Sequence, residues 1–232
     1  MCGRLTLHTI PGEFASLFPQ LDFSISKFSY NVCPTQALHA LRISPVNSKL
    51  ELTQLRWGLV PAWAEDLSIG ARMINARCET VDQKPSFRSA FKSRRCVILA
   101  NGFYEWKKVS PRNKQPYYIY RHDGKPMCFA GLWETWQSPE SEVVQTATIL
   151  TTQANQVLSP LHDRMPVMLG ENSLDDWLRQ DAELDKAELF APWPAEDLNL
   201  HGVSPAVNKP SYDQPDCIDP NDVNPTQQRE LF

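Results

Sequence analysis

Leu50-Glu-Leu-Thr-Gln-Leu-Arg-Trp57 sets apolar residues at positions 50, 52, 55 and 57 among polar ones, close to the two-residue period of a half-buried strand. Outward from it, further alternating or β-rich runs occupy Ala37 to Ile43, Cys96 to Ala100, Tyr117 to Tyr120, Met127 to Trp133 and Thr146 to Thr151. Each is bounded by Pro, Gly, Asn or Asp, the residues that break strands and start turns. Helical signals are few. Pro11-Gly-Glu-Phe-Ala-Ser-Leu-Phe18 has a proline near its first turn, and Ser86-Phe-Arg-Ser-Ala-Phe-Lys-Ser-Arg94 reads as a short basic helix. Ser173-Leu-Asp-Asp-Trp-Leu-Arg179 offers a serine cap and an acidic first turn. Strands that do not alternate with helices predict one α+β domain, β-rich and mainly antiparallel, with a few short helices. The domain is expected over residues 1–210, and residues 211–232, polar and punctuated by Pro215, Pro220 and Pro225, are expected to form an extended tail.

A chain of 232 residues with 42% hydrophobic and 22% charged residues can bury a sizeable core. No apolar run approaches the roughly 18 to 20 residues that span a bilayer, and the N-terminus lacks a basic-then-apolar leader pattern. A cytoplasmic protein with no membrane partner is therefore expected, and a monomer. The six cysteines form no C-x-x-C pair, so zinc is not expected, and no feature asks for another metal or an organic cofactor. The net charge of −4 hides an asymmetry: residues 68–114 carry eleven Lys/Arg against three Asp/Glu, whereas residues 171–232 carry four against fourteen. A polyanion-binding face and an ordinary solvated surface account for this equally well.

Cys2 stands apart from the other thiols. A small second residue favours removal of the initiator methionine, which would leave an α-amine beside a thiol. Such an amine has a pKa of about 7.7 to 8 and a thiol about 8.5, so both are useful nucleophiles near neutral pH. Their natural target is an aldehyde: the amine forms an imine, and the neighbouring sulfur closes a five-membered thiazolidine with most of its entropic cost already met. A cysteine at position 2 is, taken alone, usually incidental.

Six segments, the first of them around Cys2 itself, change that weighting. They are Met1-Cys-Gly-Arg4, Tyr30-Asn-Val-Cys-Pro-Thr35, Arg56-Trp-Gly-Leu-Val-Pro-Ala-Trp63, Asn75-Ala-Arg-Cys-Glu-Thr80, Asn101-Gly-Phe-Tyr-Glu-Trp106 and His162-Asp-Arg-Met-Pro166. Together, and in this order, they resemble the SRAP family, the SOS response-associated peptidase proteins. The likeness extends more loosely to Ser204-Pro-Ala-Val-Asn208. It implies an SRAP-like domain, a DNA-damage role, and single-stranded DNA containing abasic sites as partner, with nucleoid association when bound.

The resemblance implies that Cys2 is the crosslinking and autoprocessing nucleophile and that Asn75 positions its amine or imine. Glu105 would shuttle protons, since imine formation needs acid and base in turn; a carboxyl flanked by aromatics can have the raised pKa suited to both. His162 would help open the closed sugar, with Asp163 either orienting the ring or balancing Arg164. Read without the motifs, Asn75 is a turn residue, Glu105 a strand glutamate beside Lys107, and His162 structural. DNA contacts are expected from Arg4, Arg77 and Arg88, with Arg72, Arg94, Arg95 and Arg164 as further candidates. Trp57, Trp63 and the loop from Asn31 to Pro34 would stack or line a base, worth roughly 1 to 3 kcal/mol per stacked base. Trp106, Trp133 and Trp136 are assigned to the core. Two positions depart from common family wording: Cys33 where alanine is frequent, and Asn101 where aspartate is frequent.

Two other functions compete. An N-terminal-nucleophile hydrolase would use Cys2, Asn75, Glu105 and His162 on an amide, but has no need of the basic segment. A noncovalent single-strand-binding module would leave those four residues without a joint role.

Overall fold

The computed structural model describes residues 2–10, 12–16, 18–23, 28–111, 113–180 and 183–221. The runs read as strands at 37–43 and 50–57 are strands β3 (Ala37–Ile43) and β4 (Leu50–Trp57), paired antiparallel from Ala37 opposite Arg56 to Ile43 opposite Leu50. Ser44 N donates to Lys49 O (2.8 Å) to close the turn, and Ser48 adopts φ +57° within it. β6 (Arg95–Ala100) pairs with β3 on one edge and with β9 (Met127–Gln137) on the other. All six β6 residues are buried, as a central strand covered on both faces requires.

β10 (Val143–Gln153) completes this sheet by pairing antiparallel with β9 and, on its other edge, parallel with β4 and then with β5 (Asn75–Arg77). The sheet thereby closes through β10, β4, β3, β6 and β9, and β11 (Arg164–Pro166) adds to the far end of β10. A second sheet has the order β12 (Leu198–Gly202), β8 (Asn113–Arg121), β7 (Gly102–Ser110), β1 (Leu5–Leu7), β2 (Ser29–Val32). The β-rich α+β expectation agrees with this. The antiparallel expectation is met in part only, because β10 makes two parallel pairings whose partners lie far away in sequence.

One core lies between the sheets and inside the closed one, with Cys2, Leu5, Trp57, Ile98, Phe103 and Phe129 all buried. A second lies outside, where Val97 and Leu99, the alternate residues of β6, meet Trp177 of α3 (Glu171–Leu178) and Phe91 of α2 (Arg88–Ser93). α3 begins earlier than expected: Gly170, not Ser173, is its N-cap in extended conformation, and Ser173 Oγ donates back to Gly170 O (3.0 Å). α1 (Gly12–Ser16) lies within the first expected helix, whose Pro11 is outside the described residues, and α4 (Lys186–Leu189) was not expected. No helix among the described residues is long and apolar enough to cross a membrane.

Of the segment expected to be an extended tail, residues 211–221 pack on the second sheet. Asn31 Nδ2 donates to Val207 O, Lys209 O and Tyr212 O, Tyr30 N donates to Asp213 Oδ1 (2.6 Å), and Cys217 is buried. Residues 222–232 lie outside the described residues.

Between β4 and β5 the chain leaves the edge of β10 and returns to it, and this excursion carries Trp63. It is pinched at its base: Gly58 has φ +114°, and a Cβ there would come within 2.5 Å of Gly70 O. Gly124 also has positive φ (+70°), but a Cβ added to it would meet nothing within 4 Å. Gly58→Ala is therefore expected to cost more than about 3 kcal/mol, strain plus backbone clash, and Gly124→Ala only about 1 kcal/mol. Urea unfolding of the two variants measures the difference; equal losses would contradict the pinch.

Candidate functional site

The amino-terminal segment enters the space between the two sheets just before β1. Cys2 is 0% exposed there, and its Sγ lies 3.9 Å from Arg4 O. Burial drives the thiol far above its ordinary range, and the negative charge of Glu105 adds to the effect. In this environment the sulfur is a neutral thiol at pH 7.

Asn75 reaches Cys2 from the opposite sheet. Its Nδ2 donates to Cys2 O at 2.7 Å, across a sequence separation of 73 residues. β5 is too short to hold its own position, but Ile74 O accepts both from Trp57 Nε1 (2.9 Å) and from Ile149 N (3.1 Å), which fixes the backbone just before Asn75. The other amide atom, Asn75 Oδ1, is buried with no hydrogen-bond partner among the described residues.

Glu105 projects from β7 on the same face as Phe103, because residues two apart on a strand share a face. That face is the inter-sheet core, and Glu105 is 4% exposed. Burial raises its pKa, and nearby positive charge, His162 included, opposes the rise only in part. His162 closes the turns after β10, its N–H bonded to Leu158 O (3.0 Å). Its Nδ1 lies 3.0 Å from Arg164 N and 2.8 Å from Asp163 Oδ1. One nitrogen cannot serve both: in the neutral ring it accepts from Arg164 N–H, leaving Nε2 as the donor, and in the imidazolium it donates to Asp163. Asp163 thus touches the ring and does not balance Arg164.

The residues expected to meet DNA divide into two groups. Four are held inside the fold. Trp57 is 0% exposed, so it has no face for stacking a base; its place in the same alternation as Leu55 puts it in the core. Asn31 is buried and ties β2 to the segment 207–212. Arg164 pairs with Glu79 through both guanidinium nitrogens (2.5 and 2.8 Å) and also donates to Thr151 O, so its cation is already matched. Arg4 is half-buried, donating to Asn31 Oδ1 (2.7 Å) and Val207 O (2.5 Å) with Trp106 beneath it. Of the further candidates, Arg94 pairs with Glu134 (2.7 Å), and the buried Arg95 binds the carbonyls of Trp177, Phe91 and Arg179 at the helix ends. The other group faces outward: Arg77, Arg88 and Arg72 are exposed, Trp63 is 62% exposed, and Pro34 is half-buried beside Thr35, whose φ is +73°. Trp133 and Trp136 are buried and Trp106 half-buried.

Sequence reasoning missed Glu79, although its signal was present two residues after Arg77 in the same motif. It also missed the tether made by Asn31, for which no local pattern exists.

A family model described as SOS response associated peptidase (SRAP) matches residues 1–210. The abasic site processing protein YoqW of Bacillus subtilis (strain 168) is 41% identical over 229 residues, spanning 94% of this chain and 99% of that one. The abasic site processing protein HMCES of Rattus norvegicus is 31% identical over 199 residues, covering 73% of this chain and 56% of its own length. An X-ray structure of a protein from Bacteroides thetaiotaomicron shares the fold with a TM-score of 0.79 at 24% identity, over 95% of this chain and all of that one. The match of one family model to residues 1–210, joined to these relatives, establishes that the chain belongs to the SRAP family.

Proposed function

We propose that this protein processes abasic sites by binding single-stranded DNA and bonding covalently, through Cys2 after loss of Met1, to the ring-opened aldehyde of the lesion. The observation that carries this reading is the meeting of the Cys2 backbone, the Asn75 amide and the buried Glu105 carboxyl at one point between the sheets. The names of the relatives, abasic site processing proteins, supply the substrate class.

Removal of Met1 would place an α-amine on Cys2 next to Asn75 Oδ1, which has an acceptor to offer while Nδ2 stays on Cys2 O. A buried acceptor left unpaired costs about 1 to 3 kcal/mol, so the arrangement favours an N–H there. His162 would exchange a proton with the sugar ring oxygen and release the aldehyde. The amine attacks the aldehyde carbon, and Glu105 in its acid form gives a proton to the hydroxyl that departs as water. The thiol, held neutral by burial, then adds to the iminium carbon while its proton passes to the Glu105 carboxylate, restoring the acid. One water is lost and a thiazolidine is formed. The amine therefore reacts first and the sulfur second.

Glu105→Gln is expected to slow formation of the denaturant-stable adduct about 100-fold, the usual effect of losing a general acid. Because the pKa of Glu105 is raised, the parent should lose rate as pH rises through that value, and the Gln variant should lack this limb. Rates read from denaturing gels across pH check both; unchanged rates and profile would overturn the role of Glu105 while leaving the covalent reading in place. Stability should move the other way. A raised folded-state pKa gives a contribution complete below the unfolded value of about 4.5 and lost as pH rises through the folded one, so Glu105→Gln should gain stability over the parent at pH 8 relative to pH 5. Asn75→Ala is expected to slow the first step by about 10- to 100-fold, equivalent to one buried hydrogen bond, in single-turnover crosslinking.

A further inference from the structure

The charge asymmetry of the sequence takes a definite shape in the fold, with a basic tip at one end of β8 and an acidic groove at the other. β1 covers the edge of β7 at Gly102 and Phe103, and β12 covers that of β8 from Tyr117 to Arg121. Beyond these strands the β7–β8 hairpin continues as a two-stranded ribbon, on which Lys108, Val109 and Lys114 are all exposed. Lys108 and Lys114 stand opposite each other in the register, a like-charge pair that destabilises a ribbon unless an anion sits against it. Among the described residues neither has an ion-pair or hydrogen-bond partner. Val109, 47% exposed, adds an apolar side chain to the same tip.

The groove begins where β8 ends. Arg121, the last residue of that strand, and Lys125 line it together with residues of α3 and α4, and it encloses about 730 Å³. Leu174, Leu189 and Trp193 give it an apolar lining, and five carboxylates stand around it, those of Glu171, Asp176, Glu183, Asp185 and Glu188. Its two cations are already matched, Arg121 by Asp123 (2.5 Å) and Lys125 by Glu171 (3.3 Å). Asp185 caps α4, and Asp176 lies 4.0 Å from Arg179. Glu183 and Glu188 are exposed and have no side-chain partner among the described residues.

An apolar groove with surplus negative charge and an apolar tip with surplus positive charge are complementary. One copy cannot bring them together, because seven residues of β8 separate Lys114 from Arg121, roughly 23 Å of extended strand. We propose that a second copy of this chain is the occupant: its hairpin tip docks in the groove, with Val109 against the apolar lining and Lys108 and Lys114 meeting Glu183 and Glu188. Each copy offers one tip and one groove, so the contact is heterologous and copies add head to tail. A contact this small makes a weak association, and the monomer expected from the sequence is its dilute state. The assignment is independent of the abasic-site reading.

Sedimentation velocity of the full chain tests this, on the parent, Lys108→Glu/Lys114→Glu, Glu183→Lys/Glu188→Lys, and an equimolar mixture of the two variants. The parent should sediment faster as its concentration rises toward about 1 mM at low salt, and high salt should shrink that gain. Each variant alone sets like charges against each other and should associate at least about tenfold more weakly. The mixture should recover the parent's behaviour, because each tip then meets a groove of opposite sign on the other variant. Val109→Ser should weaken association without changing charge, and it decides the matter if either charge-reversed variant melts below the parent. A parent that stays monomeric at about 1 mM overturns the proposal. So do variants that associate as the parent does, Val109→Ser included, or a mixture of folded variants that associates no better than its components.

Discussion

The hydrogen bond from Asn75 Nδ2 to the carbonyl of Cys2 joins the amino terminus to the opposite sheet, and the geometry of the site depends on it. The two residues come from segments that share no strand pairing. What brings them together is β10, which accepts β4 and β5 in turn along one edge while β9 occupies the other. A three-residue strand has little stability of its own, so β5 is placed by its neighbours: β10 on one side, and the Trp57 indole bonded to Ile74 O just before it. Trp57 thereby serves the site from inside the core, as a support for Asn75.

The same closure excludes water, and exclusion of water sets the electrostatics. A carboxyl and a thiol removed from solvent both favour their neutral forms, and a charge on Glu105 would hold the thiol neutral more firmly still. An ion buried this deeply is costly, so burial pushes both groups toward their neutral forms in the unreacted centre. Reaction supplies the charge: an iminium would form within reach of Glu105, when an anion there has something to stabilise. His162, half-buried with either Arg164 N–H or Asp163 as its partner, is the member open to exchange with solvent.

Much of this was legible in the sequence, for reasons that differ between elements. β3 and β4 agree with their expected bounds because seven and eight residues of β-rich pattern are a strong signal, and β6, which starts one residue earlier than expected at Arg95, was found because a short, continuous apolar run points to a buried strand. β5 and β11 were invisible as strands, since three residues carry no periodicity, and the parallel pairings of β10 have no local signature. Reading Trp57 as a stacking surface conflicted with its own strand, whose alternation with Leu55 points it inward. Among the basic residues, composition gave the charge but not its use: Arg95 binds helix-end carbonyls and Arg164 binds Glu79, whereas Arg77 and Arg88 face solvent. The candidate set was named from motifs; in the fold Asn75 bonds to the Cys2 carbonyl, and Glu105 lies near enough to Cys2 and His162 to act on both electrostatically.

The central claim is that the two nucleophiles of a single residue, Cys2, take the lesion carbon in sequence. Its most direct test is mass spectrometry of the amino-terminal peptide after the purified protein, freed of Met1, is incubated with abasic single-stranded DNA and denatured. The account predicts the mass of the sugar remnant less one water on the peptide beginning at Cys2, with neither its amine nor its thiol open to alkylation. An adduct on Cys33, or an amino-terminal peptide that remains unmodified while the lesion is consumed, would contradict it.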